Sequence, residues 1–115
     1  MSHPPIHWPE TQREVTEEEI QQAFNEGKFW ERAKSGLLKV TRLRSDSHAN
    51  PLRSGQPLCT LSQMLAYWTR DEIFVAAVHQ YLCPDGTLGA SGKPDPKKLV
   101  VNNELLWVRA KQSKG

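Results

Sequence analysis

The sequence has little cysteine, no long apolar run and almost no net charge. Its two cysteines, Cys59 and Cys83, are too few for the disulfide framework of a small secreted domain. The longest apolar run, residues 73–78, is far shorter than the roughly 20 residues that cross a bilayer, and no apolar signal-peptide core follows Met1. We therefore expect a reducing, cytoplasmic location and no membrane partner.

The length of the chain limits the size of the fold. A chain of 115 residues can bury roughly two-thirds of its unfolded surface, which suffices for one modest domain.

The charge is unevenly distributed along the chain, although fifteen basic and 13 acidic residues leave a net charge of only +2. By segment the charge alternates: −5 over 8–27, +5 over 28–53, −2 over 54–92 and +4 over 93–115. Such alternation produces a charged face if the fold gathers segments of one sign.

The beginning of the chain predicts an extended arm followed by a helix. Three prolines in residues 1–10 remove backbone donors and fix φ, which favours an extended Pro-rich arm. Thr16 and Glu19 form a capping box, and apolar residues at helical spacing follow them. We predict a helix over 17–34, with a kink expected at Gly27.

The middle of the chain predicts a strand, a second helix and another strand. Residues 37–44 carry Val and Thr in the alternation of a strand. Apolar residues at helical spacing, ending at Trp68, predict a helix over 61–69. Residues 72–83 suit either a helix or a strand. The Pro-Asp-Gly turn at 84–86 favours the strand, because it explains a hairpin.

The last part of the chain predicts a hairpin and completes the fold class. Asn102 and Asn103 tolerate the left-handed turn conformation between two short apolar segments, 98–101 and 104–108. We therefore predict a small single α+β domain over 11–110, with about two helices packed on an antiparallel sheet of four to five short strands. The basic tail, 111–115, is expected to be frayed.

A zinc site is the weaker alternative to a protein without a metal. Its four candidate ligands are His48, Cys59, His79 and Cys83. Structural zinc sites usually bring their ligands in tight pairs, and neither cysteine has a Cys-x-x-Cys partner. The spacing therefore favours cysteines that are buried as small apolar residues. We expect no metal and no cofactor. A disulfide between the two cysteines would require close Cα atoms and an oxidising compartment.

Two histidines are the candidates for catalysis, although no motif fixes a nucleophile. His48 lies in a long loop and His79 in a predicted strand, so one could act as base and the other as acid while a basic side chain holds a phosphate. A small phosphodiester-cleaving enzyme built on this pair is the alternative function. We expect the protein not to be an enzyme, because composition alone supplies such a pair.

A glycine-rich segment, residues 89–93, resembles a phosphate-binding loop only superficially. Thr87 occupies the position of the first glycine, and Pro94 that of the hydroxyl residue. A looser anion nest assisted by Lys93 and a simple flexible connector both remain open.

Basic side chains that could neutralise phosphates occur in both halves of the chain. They are Arg42, Arg44, Arg53, Lys93, Lys97 and Lys98. They would form one stripe if the 37–44 strand and the 98–108 hairpin were neighbours, and Trp8, Trp30 and Trp107 could stack bases. A pI of about 8.6 is low for a dedicated nucleic-acid domain. Nucleic-acid binding is therefore an alternative function.

The preferred interpretation is a small non-enzymatic binding or adaptor domain. It would act through the long loops 45–58 and 84–96 and the adjoining basic strands, because loops of such length are usually functional or disordered. Ile6 and Trp8 of the arm are candidate anchors for a partner, and an exposed edge strand from either predicted hairpin could pair with one. By a narrow margin we expect a protein partner or a second copy of the chain rather than a nucleic acid.

Overall fold

The computed structural model describes residues 4–46, 61–89 and 92–109. In these residues two helices and six strands follow one another along the chain. They are β1 (Thr11–Glu14), α1 (Glu17–Glu26), α2 (Phe29–Lys34), β2 (Lys39–Asp46), β3 (Leu61–Trp68), β4 (Phe74–Leu82), β5 (Asp95–Val101) and β6 (Glu104–Trp107). The α+β class is confirmed. The sheet has six strands rather than four to five.

The sheet is mixed rather than purely antiparallel, and its strand order is β1-β6-β5-β4-β3-β2. Four neighbouring pairs are antiparallel, whereas β1 runs parallel to β6. β1 was not predicted from the sequence, because its four residues are polar and all exposed and therefore show no apolar alternation. The pairing continues beyond the strand, since the Val15 N–H donates to the Trp107 carbonyl at 2.9 Å.

The predicted long helix is two helices separated at Gly27 and Lys28. The capping box is confirmed: the Glu19 N–H donates to Thr16 Oγ1 at 3.1 Å, and the Thr16 N–H donates to Glu19 Oε1 at 3.2 Å. Lys28 then adopts a left-handed conformation with φ 53°. A Cβ on Gly27 would lie 2.3 Å from Cε2 of Phe29. Glycine therefore lets the Phe29 ring fold back over the end of α1.

The predicted helix over 61–69 is wrong, because these residues form β3. Tyr67 is buried on the face of the sheet that the helices cover, and Ala66 and Trp68 are buried on the opposite face. A central strand covered on both faces carries apolar side chains on both, and their spacing imitated a helical stripe. Pairing with β2 and β4 on either side decided the outcome.

Three other predictions agree with the observed elements. Residues 74–82 form a strand, and Leu82 makes an isolated antiparallel bridge to Leu88 across the Pro-Asp-Gly turn. The final hairpin turns at Asn102 and Asn103, whose φ angles are 51° and 61°. The first predicted strand is observed two residues further along, at 39–46.

The two faces of the sheet have separate cores. Ile20 and Phe24 of α1 pack with Tyr67, Val78 and Leu99 on the helix face. The opposite face, which we call the open face, has a smaller core. Its buried members are Ala66, Trp68, Phe74, Ala77 and Leu105, against which Ile6 packs.

Residues 4–9 contain no helix or strand, and they contact the chain's own sheet. The Trp8 ring meets Phe74 edge to face at 5.3 Å between centroids. Part of the open face is therefore already covered. No helix in the described ranges is long and apolar enough to span a bilayer.

Candidate functional site

The register of the sheet assembles polar side chains from four strands on the open face. Residues directly opposite one another on neighbouring strands share a face. Arg44 on β2 pairs with Met64 on β3, Met64 with His79 on β4, and His79 with Asp95 on β5. The next row contains Asp46, Ser62 and Tyr81. This polar half of the open face lies beyond the core that Ile6 covers.

A hydroxyl and an imidazole are in direct contact at the centre of the polar half. Ser62 Oγ lies 2.7 Å from His79 Nε2, and the His79 and Tyr81 rings pack edge to face at 4.8 Å. Burial lowers the pKa of His79, and Lys97 and Arg44 lower it further against the opposing effect of Asp95. The imidazole is therefore neutral near pH 7, and its tautomer decides whether it accepts a hydrogen bond from Ser62 or donates one.

A cleft opens beside this contact at the start of β5. It encloses about 310 Å³, and its lining includes His79, Tyr81, Lys93 and Asp95 together with Gln21 of α1. The Asp95 carboxylate is bound at 2.7 Å by Lys97 Nζ. Lys93 was predicted to bind an anion, and the fold places it against the cavity that His79 and Tyr81 line.

A second cavity lies further along the open face, and two tryptophans line it. It encloses about 280 Å³ and is lined by Trp8, Gln12, Lys98, Leu105 and Trp107. Lys98 Nζ sits 4.8 Å from the centroid of the Trp8 ring. Three residues that the sequence analysis associated with nucleic acid, Trp8, Trp107 and Lys98, are therefore brought together. We call this group the tryptophan site.

The third tryptophan considered as a base-stacking residue lies elsewhere. Trp30 belongs to α2 and packs against the core on the helix face. Lys34 Nζ lies over its ring at 3.8 Å from the centroid. Trp30 therefore takes no part in the open face.

The basic residues do not form the single stripe that adjacent strands would have produced. β2 and β5 are separated by β3 and β4, so the first basic strand and the final hairpin are not neighbours. An irregularity between Arg42 and Arg44 shifts the register: Arg42 pairs with Leu65 and Arg44 with Met64. The two arginines consequently lie on opposite faces, because a bulge interrupts the alternation of side chains. Nucleic-acid binding itself stays a prediction.

The outer edge of the sheet at β2 carries exposed apolar side chains. Leu37, Val40 and Ile73 are 64%, 44% and 59% exposed. The turn between β3 and β4 is held against the start of β2, because Arg70 Nη1 donates to the Gly36 carbonyl at 3.1 Å. Leu37 and Val40 therefore lie at the β2 edge, and Ile73, which directly precedes β4, lies at the same end of the sheet.

Several predicted site residues lie outside the described residues. They are His48, Arg53 and Cys59, with most of the loop 45–58. The pairing of His48 with His79 and the four-residue zinc set therefore stay predictions. In the described ranges no three His, Cys, Asp or Glu side chains are grouped to hold a metal, and Cys83 is a half-exposed free thiol. Ile6 and Trp8 contact their own sheet, and their role as partner anchors also stays a prediction.

Sequence reasoning missed Ser62, Gln12 and the β2 edge. Ser62 and His79 meet across two strands, and Gln12 reaches the tryptophan site through the parallel pairing of β1. Only the strand register reveals such contacts, since no local spacing encodes them. No family model, curated protein or solved structure matches the chain. The function must therefore be inferred from the described residues themselves.

Proposed function

We propose that this protein is a non-enzymatic adaptor domain that binds an extended segment of a protein partner along the outer edge of β2. The observation that carries the proposal is the position of β2 in the sheet. It has eight residues, and within the described part of the sheet it has a neighbouring strand on one side only. The backbone groups of such an edge can pair with one more strand.

The exposed side chains at this edge support a protein partner. Among the described residues, four large apolar side chains are exposed, namely Trp8, Leu37, Val40 and Ile73. Leu37 and Val40 lie at the β2 edge, and Ile73 lies at the same end of the sheet, just before β4. Grouped exposed apolar side chains are typical of surfaces that bind proteins. Such a group supplies apolar contact for alternate side chains of an added strand, while the backbone supplies hydrogen bonds.

The charge of the edge favours an acidic segment. Lys39, Arg42 and Arg44 are all exposed on β2. Lys39 is bound to Glu72 at 3.5 Å and Arg44 to Asp46 at 3.3 Å, and exposed pairs of this kind contribute little. Acidic groups of a partner can replace them at small cost. Two copies of this edge would instead bring like charges together, which disfavours pairing between copies.

The bulge between Arg42 and Arg44 restricts where the partner pairs. Beyond it the strand changes register, so regular pairing extends only over 39–42, next to Leu37. The site is therefore a short edge with an apolar end.

The test uses two ten-residue peptides of alternating residues, one of Val and Glu and one of Val and Lys. Binding of the labelled peptides is measured by fluorescence anisotropy. The Val/Glu peptide should bind more tightly, and Val40→Glu should weaken it by about tenfold or more. Thr11→Glu is the matched control, because it introduces the same charge at an exposed position on β1, at the other end of the sheet.

Hydrogen exchange then locates the bound peptide. Saturation with the Val/Glu peptide should slow exchange at alternate amides of 39–42, because those N–H groups acquire strand partners. Binding that leaves exchange in β2 unchanged, or that Thr11→Glu weakens as much as Val40→Glu does, contradicts the proposal. Protection of β2 that grows with protein concentration, without peptide, would assign the edge to a second copy.

A further inference from the structure

We infer that the open face of the sheet carries a separate binding site for single-stranded nucleic acid, centred on the tryptophan site. It goes beyond the proposed function, because the β2 edge and the tryptophan site lie at different ends of the sheet. β6, which carries Trp107, is separated from β2 by β5, β4 and β3. At about 4.8 Å per strand, the two sites are roughly 19 Å apart.

The tryptophan site has the components of a base-stacking platform. The Trp8 indole is held by its contact with Phe74, yet 44% of Trp8 remains exposed. Trp107 lines the same 280 Å³ cavity as Trp8. An indole can stack on any base, because every base presents a π-face. A base that enters this cavity therefore finds two indole rings in its lining.

A cation and an amide complete the platform. Lys98 Nζ lies 4.8 Å from the Trp8 centroid, so a phosphate next to a stacked base comes within reach of a positive charge. Gln12 lines the same cavity, and its amide can both donate and accept hydrogen bonds at a base edge. Stacking, charge neutralisation and polar contact thus converge in one place.

A second pair of rings lies on the same face. Lys98 pairs with Ala77, and His79 is two residues further along β4. From strand spacing and rise, the Cα atoms of His79 and Trp107 are about 12 Å apart. A chain of a few nucleotides spans this distance. The edge-to-face pair of His79 and Tyr81 can then receive another base.

Positive charge continues from one platform to the other. Lys97 and Lys98 are neighbours within β5, where Lys98 is exposed, and Arg44 lies in the row of His79. Lys97 and Arg44 both act electrostatically on His79, so they share its surroundings. Lys97 is paired with Asp95 and Arg44 with Asp46. Because both carboxylates are exposed, a phosphate can replace them as the ion-pair partner.

This chemistry fits unpaired bases better than a duplex or a second protein. In a duplex the base faces are stacked on one another and cannot reach the indoles. The central apolar part of the open face is already packed against Ile6, which leaves mainly rings and cations for a ligand. Single-stranded nucleic acid supplies both a π-face and a negative charge at every unit.

The test measures anisotropy of labelled oligo(dT) with the full chain at several salt concentrations. We expect Trp107→Ala to weaken binding by about 5- to 100-fold and Trp107→Phe to weaken it less, because a ring remains. Lys98→Glu should weaken binding and reduce its dependence on salt. Melting temperatures of the variants separate loss of the site from loss of the fold.

Lys39→Glu is the matched control, because it makes the same charge change at the β2 edge. It should leave oligo(dT) affinity within about twofold and alter binding of the Val/Glu peptide. Absence of oligo(dT) binding at low salt overturns the inference. Equal affinity for a duplex, or unchanged affinity in both Trp107→Ala and Lys98→Glu, also overturns it. The outcomes that overturn this inference concern only oligo(dT) binding and leave peptide binding at β2 untouched, so the two proposals fail independently.

Discussion

Replacing Trp68 by alanine tests whether the open face has a packed core of its own. Trp68 is completely buried in β3, and its ring meets Phe74 edge to face at 5.7 Å. Its Nε1–H donates to Thr41 Oγ1 on β2 at 2.8 Å. The side chain therefore connects the edge strand, the central strand and the turn into β4.

The expected loss follows from this burial. Removal of a fully buried indole costs about 3–5 kcal/mol, because apolar contacts are lost and a cavity remains. A domain of this length has a free energy of unfolding of roughly 6–17 kcal/mol. The melting temperature should therefore fall by about 10–25 °C, with the larger part of the effect due to packing.

Urea unfolding followed by circular dichroism measures the loss. The midpoint should fall while the slope stays unchanged, because the same surface is exposed on unfolding. Thr41→Val is the control for the hydrogen bond, and it should cost about 1–3 kcal/mol, because the buried indole N–H loses this acceptor. A loss below about 1 kcal/mol for Trp68→Ala would refute the packing of this face.

Three further predictions concern a titration and two backbone positions. An NMR titration should place the pKa of His79 below the ordinary histidine value, and an unshifted pKa would contradict this. Because the unfolded chain then binds the proton at a higher pH than the folded chain does, the free energy of unfolding should fall as the pH drops from the unfolded-state pKa toward the folded-state pKa. Asn103→Val should cost about 1–2 kcal/mol in urea unfolding, because its φ of 61° disfavours a β-branched residue; an unchanged midpoint would argue against the tight turn. Gly27→Ala should lower stability by about 1–3 kcal/mol, since the new Cβ would meet the Phe29 ring, and a variant at least as stable as the parent would show that the ring moves freely.

Elements that depend on interactions between residues close together in the sequence were predictable. The capping box at Thr16 and Glu19 began α1 as expected, because both partners are three residues apart and the bonds form within one turn. The last hairpin followed from Asn102 and Asn103, which tolerate the conformation that the turn requires. In these places the interaction that decides the structure lies within a few residues.

Elements that depend on distant partners were not predictable in the same way. β3 has an apolar pattern that also fits a helix, and only β2 and β4 on its two sides made it a strand. β1 is polar and exists through its pairing with β6. The two arginines of β2 alternate in sequence, yet the bulge between them places Arg42 and Arg44 on opposite faces.

The candidate sites likewise combine properties that the sequence determines with properties that only the tertiary structure determines. The sequence by itself determined which ring, cation and imidazole side chains are available, and that no run of residues suits a membrane helix. Tertiary structure alone decided that Ser62 meets His79, that Trp8 and Trp107 flank Lys98, and that β2 forms an edge. The physical reason is that sheet register joins residues far apart in the chain, and a shift of one residue moves a side chain to the other face.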